Sequence, residues 1–278
     1  YVDLVREPTY GYGKNMNPCI DCRVYMFKIA QQVMEEMNAD FIITGEVLGQ
    51  RPMSQRRDAM ETIDRDSESE GLILRPLSAH LFPPTRPEIE GWVDREKLLN
   101  ISGRSRTAQL EMAETLKLDK YTAPAGGCLL TDANFSDRLS GFFERKKNPS
   151  MTEVRLLRYG RHFDLSNGAH LILGRDQKEN NQLLKESEED VSAGKMTFFN
   201  PQFSGPVAVL SGEGSDFHPI QDESILDEAG ALIAKYSKKG LSSEEVIEVK
   251  CGSETTRMRI NFPLPRNPIS SDGLTVTQ

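Results

Sequence analysis

Hydrophobic positions in the first half of the chain alternate between helical spacing and short unbroken runs. Residues 24–37 carry apolar side chains three or four positions apart, which predicts an amphipathic helix. The runs DFIIT and GLILRPL are short and aliphatic, as is typical of buried parallel strands. Further helical patterns are SQRRDAMETI, DREKLLNIS and RTAQLEMAETLKL. Strands that alternate with helices predict an α/β domain with a parallel sheet.

The pattern changes near residue 149. EVRLLRYGRHFDLSNGAHLILG alternates around Ser-Asn-Gly, which predicts a hairpin, and EVIEVKCG with TTRMRINF predicts another. Helical patterns in RDQKENNQLLKES and DESILDEAGALIAKYS flank the strand-like runs KMTFFNP and GPVAVLSG, and Asp222 is the expected N-cap of the second helix. We therefore predict an α/β domain over residues 1–148 and a smaller α+β domain over 149–262. Residues 263–278 lack periodicity and are predicted to be disordered.

Length and composition narrow the class of protein. With 278 residues the chain can form two domains whose cores need no disulfide bonds. Four cysteines, no signal peptide pattern and no apolar run near 18 residues predict a cytoplasmic protein with reduced thiols and no membrane partner. A net charge of −8 argues against nucleic-acid binding by bulk charge, so any RNA contact must use local basic patches. Because the first residue is Tyr1, we expect further residues upstream.

Three of the four cysteines form a candidate chemical site. Cys19 and Cys22 form a Cys-x-x-Cys motif, and Cys128 follows two glycines in a loop that can join them at the edge of a parallel sheet. Three readings remain open: a [4Fe–4S] cluster on three thiolates, persulfide and disulfide chemistry, or a structural zinc ion. Zinc needs a fourth ligand that the pattern does not supply. Cys251 stands alone and is predicted to be an incidental thiol.

Several motifs resemble known families. ITGEVLGQ, followed by SQ, ID and LILRPL, resembles the PP-loop ATP-pyrophosphatase domain of the ThiI tRNA 4-thiouridine synthetases over about residues 8–140. NPCIDC and GGC resemble the cysteine positions of the related tRNA thiolases of the MnmA and TtcA/TtuA groups. NGAHLILGRDQKENNQLL, TFFNPQFSGPVAVL and DEAGALIAKYS are similar to an NFACT-R-type RNA-binding module.

The resemblance implies a fold and an activity. The first domain would be an adenine nucleotide alpha hydrolase-like PP-loop domain, and the protein would thiolate a tRNA uridine with ATP and Mg²⁺. Its cysteines, Cys19, Cys22 and Cys128, would be catalytic and would transfer sulfur or hold the cluster. The residues implied to bind ATP are Thr44, Gly45, Glu46, Gly49, Gln50, Ser54 and Gln55. The residues expected to contact RNA are Arg158, Arg161, Arg175 and Lys178.

The chain also departs from the family pattern. A Ser-Gly-Gly-x-Asp-Ser phosphate loop precedes the Cys-x-x-Cys segment in the family and does not occur here, so we expect an N-terminally incomplete PP-loop domain. No rhodanese domain is visible, so sulfur would come from a partner protein or from free sulfide. One alternative is a non-catalytic tRNA-binding protein with a degenerate PP-loop domain. Another is a PP-loop enzyme that acts on a small molecule. The sequence leaves the target uridine and the oligomeric state open.

Overall fold

The computed structural model describes residues 1–118, 127–212, 219–237 and 244–261. They belong to two compact units, Tyr1–Asp132 and Ala133–Gln278. The units divide upstream of the predicted boundary near residue 149, so the segment 133–148 groups with the second unit. The predicted tail 263–278 and Gly126 lie outside the described residues. Within the described ranges, no helix is both long enough and apolar enough to cross a membrane.

The first unit combines helices with a small parallel sheet. Its helices are α1 (Val2–Arg6), α2 (Cys19–Glu36), α3 (Arg57–Asp66), α4 (Arg86–Ile89) and α5 (Thr107–Thr115). Its strands are β1 (Ile42–Ile43) and β2 (Ile73–Leu74), and its 3₁₀ turns are Ala79–Leu81, Arg95–Lys97 and Leu129–Thr131. The predicted strand runs therefore do form a parallel pair, in which Ile42 lies opposite Ile73. The PP-loop fold itself stays a prediction.

The core of the first unit lies where α2 and α3 pack beside the strand pair. Phe27 of α2, Ile63 of α3 and Ile73 of β2 are buried together. By contrast, Val33 and Met37, which the helical pattern placed on the apolar face of α2, remain exposed. The apolar spacing of α2 therefore predicted the helix correctly but not the whole of its buried face.

The helix predicted for DREKLLNIS is wrong beyond one turn. Asp94 caps a 3₁₀ turn over Arg95–Lys97 by accepting the Glu96 N–H, and the helix ends there. Beyond it, the N–H of Leu99 donates to Pro76 O at 2.8 Å and the N–H of Ile101 to Leu77 O at 2.8 Å. These inter-segment hydrogen bonds use the donors that a longer helix would need, which explains the difference.

The second unit is an antiparallel sheet with helices on both faces. Its helices are α6 (Ala133–Arg145), α7 (Met151–Leu156), α8 (Gln177–Ser192) and α9 (Glu223–Lys235). A 3₁₀ turn, Pro219–Gln221, precedes α9. The strands are β3 (Arg161–Asp164), β4 (His170–Leu173), β5 (Met196–Pro201), β6 (Ala208–Ser211), β7 (Glu244–Cys251) and β8 (Glu254–Asn261). In the described residues they run in the order β3-β4-β6-β5-β7-β8.

The two faces of this sheet bury separate cores. Along β4, Leu171 and Leu173 join the core under α9, whereas Ile172 points to the core under α7 and α8. Strands buried on both faces are continuously apolar, which is why HLIL, MTFF and AVL show no polar alternation. The predicted hairpins are confirmed as β3–β4 and β7–β8, and Asp222 caps α9 as expected. The second unit is therefore an α+β module.

Candidate functional site

The Cys-x-x-Cys motif lies in the first turn of α2, and not before the helix as the pattern suggested. Cys19 opens the helix, and the N–H of Cys22 donates to Pro18 O at 2.8 Å. Between them, the buried carboxylate of Asp21 accepts the N–H groups of Thr9 (2.7 Å) and Tyr10 (3.1 Å). These hydrogen bonds attach the N-terminal segment to α2 and hold both thiols at the start of a rigid helix.

The segment that carries Cys128 is joined to the loop before α2. The side-chain amide of Asn15 donates to Thr131 O at 2.8 Å. Thr131 in turn donates its N–H and its hydroxyl to Cys128 O, at 2.8 and 2.6 Å. Two segments more than a hundred residues apart are thereby fixed to each other, which brings the third thiol near the other two.

The electrostatics of Cys19 reflect this arrangement. Burial raises the pKa of the Cys19 thiol, and the neighbouring charges of Cys128 and Cys22 raise it further. The nearby Arg51 guanidinium opposes the increase in this pKa, and the Cys19 thiol lies 3.2 Å from Asn17 Oδ1. The thiol of Cys22 lies 3.6 Å from the Tyr1 hydroxyl. Cys19 is therefore mostly a thiol at neutral pH, and Arg51 is the cation placed to stabilise its thiolate.

The three thiols are the candidate metal ligands of this unit. Among the described residues, no three His, Cys, Asp or Glu side chains are grouped so that they could hold a metal ion. All four cysteines are free, with Cys128 exposed and the others half-buried. As they stand, the three thiols do not form a site for a single metal ion such as zinc. The cluster role of Cys19, Cys22 and Cys128 stays a prediction.

Buried ion pairs lie next to the thiol-bearing end of α2. Arg75, which follows β2, is 5% exposed and binds Asp64 with both terminal nitrogens, at 2.6 and 2.7 Å. Its Nε donates to Glu46 Oε2 at 3.1 Å, and Arg23 Nε lies 3.4 Å from Glu46 Oε1. The Asp64 and Glu46 partners raise the pKa of Arg75 against the opposing effect of burial. This network connects α2, the loop after β1, β2 and α3.

The loop predicted to bind ATP packs against its own backbone. Gly49 has a φ of +78°, and its N–H donates to Gln55 O at 2.6 Å. Glu46, Ser54 and Gln55 are buried, and Thr44 donates its N–H to Leu74 O in the strand pair. Gly45 is exposed, and Gly49 and Gln50 are half-buried.

Two buried side-chain oxygens of this loop accept no hydrogen bond among the described residues. Glu46 Oε2 accepts a hydrogen bond from Arg75 Nε, whereas the buried Glu46 Oε1 accepts none among the described residues and lies 3.4 Å from Arg23 Nε. The buried Gln55 Oε1 has no hydrogen-bond partner among the described residues. The ATP roles assigned to this loop stay predictions.

The residues predicted to contact RNA lie in two segments of the second unit, 158–161 and 175–178. Arg158 and Lys178 are exposed, and Arg161 lies over the Tyr236 ring at 4.9 Å. Arg175 forms an ion pair with Glu179, whose carboxylate also accepts the Gly160 N–H at 3.1 Å. That carboxylate joins the turn before β3 to the start of α8, the two segments that carry the four basic residues.

A buried histidine relay in the second unit was not predicted. His162 Nδ1 lies 3.1 Å from His170 Nε2, and His170 Nδ1 lies 2.8 Å from Asp164 Oδ1. Arg138 Nη1 lies 3.4 Å from His162 Nε2 and Arg145 Nε lies 3.4 Å from Asp164 Oδ2. The stretch RHFDLSNGAH could have indicated this cluster, because positions 162, 164 and 170 share one face of the hairpin in its observed register.

The relay makes stability depend on pH. Burial, together with the charges of His170 and Arg138, lowers the pKa of His162 to about 3. Between about pH 6.5 and 3 the unfolded chain therefore binds a proton that the folded chain does not, so stability falls as pH falls. The pKa of Asp164 is also lowered, despite burial, by its hydrogen bond to His170, but that contribution is lost only at still lower pH, below pH 4.

We expect the second unit to lose about 2 kcal/mol of unfolding free energy between pH 7 and pH 5. Urea unfolding followed by circular dichroism at both pH values measures the loss. His162→Gln should reduce it to a few tenths of a kcal/mol, whereas His80→Gln, at an exposed histidine, should leave it unchanged. An equal loss in wild type and His162→Gln would show that the relay does not titrate as described.

Comparison with protein families divides the chain in the same way. Residues 3–80 match the ThiI family, described as "Thiamine biosynthesis protein (ThiI)". Residues 160–268 match the NFACT-R_2 family, described as "NFACT protein RNA binding domain". The chain joins a ThiI-like segment to an NFACT-R-like segment. The ThiI-like segment contains Cys19, Cys22 and the loop 44–55. The NFACT-R-like segment contains the whole antiparallel sheet. The matches support a role related to thiamine or tRNA thiolation, together with RNA binding.

Comparisons with curated proteins and with solved structures identify no further relative that supports an argument. No curated protein matches the chain. A solved structure, "The structure of the C-terminal of the fibronectin/fibrinogen-binding protein from Streptococcus suis (FBPS)", is 11% identical and covers 87% of this chain and 90% of that one. Its TM-score of 0.28 is too low to support an argument about the ThiI-like or the NFACT-R-like segment.

Proposed function

We propose that this protein is a tRNA sulfurtransferase that thiolates a uridine in an ATP-dependent reaction. The observation that carries the proposal is the approach of three thiols from two distant segments within the unit that contains the ThiI-like segment. The NFACT-R-like segment would hold the tRNA. Adenylation by ATP would turn the carbonyl oxygen of the uridine into a leaving group, and the thiols would deliver the sulfur.

The thiols can deliver sulfur in three balanced steps. One thiol first takes the outer sulfur of a donor persulfide, and the donor leaves as a thiol. That terminal sulfur attacks the activated carbon, a C–S bond forms, and AMP departs with the former carbonyl oxygen. A second thiol then attacks the protein-side sulfur, its proton passes to the base, and thiouridine is released as a Cys–Cys disulfide forms. A cellular thiol reductant restores the pair.

The three thiols differ in burial and in position, which suits them to different steps of the proposed transfer. Burial and the neighbouring thiols raise the pKa of Cys19, so it needs Arg51 to become a nucleophile. Cys128 is exposed, and therefore open to a donor protein. A Cys-x-x-Cys pair at a helix start is also suited to close a disulfide. These features support an exchange among three thiols, with the sulfur entering from outside the fold.

A non-catalytic tRNA-binding protein is the second candidate. It is favoured by the Glu46 carboxylate, which lies between Arg75 and Arg23 in the loop expected to bind ATP. Such a protein would bind tRNA through the NFACT-R-like segment and would leave its modification unchanged.

Deleting the encoding gene separates the two candidates. If the protein is a sulfurtransferase, one thiouridine species should disappear from the hydrolysed bulk tRNA of the source organism, as measured by liquid chromatography and mass spectrometry. Expression of the unchanged gene should restore it. A normal set of thiolated nucleosides in the deletion strain would exclude the sulfurtransferase and leave the binding protein.

A further inference from the structure

A cavity of about 380 Å³ opens on the second unit. None of its lining residues takes part in the proposed sulfur transfer. Its volume lies within the range of small-molecule sites in proteins. It is formed where β4 runs into α8, where the loop between β5 and β6 turns, and where α9 ends. Its lining includes Gly174, Arg175, Asn180, Ser204, Gly205 and Tyr236.

The walls of the cavity are held by close backbone packing. A Cβ on Gly174 would lie 2.1 Å from Asn180 Oδ1, which accepts the Val207 N–H at 3.3 Å. The Gly174 N–H donates to Val207 O at 3.1 Å. On the opposite wall, a Cβ on Gly205 would lie 2.4 Å from Ser237 Oγ. Because both glycines pack against fixed neighbours, the cavity is present before any ligand binds.

One side of the cavity is an aromatic ring with a fixed orientation. Tyr236 is half-buried, and the Arg161 guanidinium lies 4.9 Å from its ring centroid. Phe163 packs against the same ring, with the centroids 5.6 Å apart and the planes inclined at 45°. A ring held by a cation and a second ring has lost its rotamer freedom, so stacking a planar ligand on it costs little further entropy.

The charge of the cavity disfavours an anion. Arg175 is its cation, but Glu179 binds that guanidinium and so raises the pKa of Arg175. Asp176 adds a second carboxylate, which caps α8 by accepting the Glu179 N–H at 2.9 Å. The lining is therefore close to neutral and rich in amide groups. Among the residues that line the cavity, a phosphate would meet one cation, Arg175, which Glu179 already binds, whereas an uncharged heterocycle would find amide groups and a flat ring.

We propose that this cavity binds a single unstacked nucleobase of the RNA. The inference rests on the proposed function only in taking RNA as the partner. Proteins that recognise single-stranded RNA stack splayed bases on aromatic side chains and hydrogen-bond their edges, which is the chemistry that the Tyr236 ring and the Asn180 side-chain amide provide. Arg158 and Lys178, both exposed in the segments that adjoin the cavity, would contact the flanking phosphates.

Saturation-transfer NMR on the full chain tests the cavity directly. The probes are the four ribonucleosides and, as the anionic alternative, ribose 5-phosphate. Ser204→Leu places a bulky side chain in the cavity from an exposed position, and Ser192→Leu makes the same change at the far end of α8. We expect at least one nucleoside to bind wild type and Ser192→Leu and to lose its signal in Ser204→Leu. Ribose 5-phosphate should give no comparable signal.

The affinity for a short single-stranded RNA supplies a second readout. Ser204→Leu and Tyr236→Leu should each weaken binding about tenfold, as expected for one lost base stack, with Ser192→Leu unchanged. Equal nucleoside and RNA binding in Ser204→Leu and Ser192→Leu would overturn the proposal, and so would a ribose 5-phosphate signal as strong as that of the nucleosides. Gene deletion, which tests the sulfurtransferase, is independent of these outcomes, so failure of one proposal is distinguishable from failure of the other.

Discussion

Arg75→Met is expected to destabilise the first unit by about 3–5 kcal/mol. The guanidinium is buried and binds Asp64 and Glu46 directly, so its removal leaves two carboxylates with less compensation in the interior. Methionine retains much of the side-chain length, which limits any effect of lost volume. The loss should also loosen the start of α2, because Glu46 connects Arg75 to Arg23.

The single tryptophan makes this measurement specific to one unit. Trp92 lies in the first unit and stacks on Phe41, with the ring centroids 6.3 Å apart, so its fluorescence during urea unfolding reports that unit. Arg65→Met is the matched control, because Arg65 is exposed and its pair with Asp66 lies at the surface. The control should change stability by less than about 0.5 kcal/mol. If the two substitutions lowered the free energy of unfolding by similar amounts, the buried network would contribute no more to stability than a surface ion pair.

Serine at Cys19, Cys22 or Cys128 is expected to abolish thiolation in the complemented deletion strain. Each variant should restore less than about 1% of the thiouridine that the unchanged gene restores, because groups that act as one catalytic unit fail together. For the same reason, the double variant Cys19→Ser/Cys128→Ser should be no worse than either single variant.

The fourth cysteine provides the control for this experiment. Cys251 lies at the end of β7, and its thiol contacts only the Gly194 carbonyl oxygen, at 3.6 Å, among the contacts described for it. Cys251→Ser should restore normal thiouridine. If Cys128→Ser also restored it, the exchange would need only the Cys-x-x-Cys pair, and the approach of the third thiol would have no chemical role.

Local patterns predicted much of the second unit. KMTFFNP, GPVAVLSG and both hairpins became strands of the antiparallel sheet, and Asp222 became the N-cap of α9. These predictions succeeded because strand runs and caps depend on neighbours within a few residues. DREKLLNIS failed because its backbone donors bind carbonyls of a segment some twenty residues earlier, Pro76 and Leu77, which no local pattern encodes.

The sequence alone determined the kinds of element, the two-part organisation and the candidate thiols, because periodicity and residue chemistry are local properties of the chain. Only the tertiary structure decided which groups meet. It joined Asn15 to Thr131, enclosed Glu46 between Arg23 and Arg75, and aligned His162 with His170. Such contacts depend on strand register and on loops folding back over long separations. Those are settled by the packing of the whole unit, and no short stretch of residues specifies them.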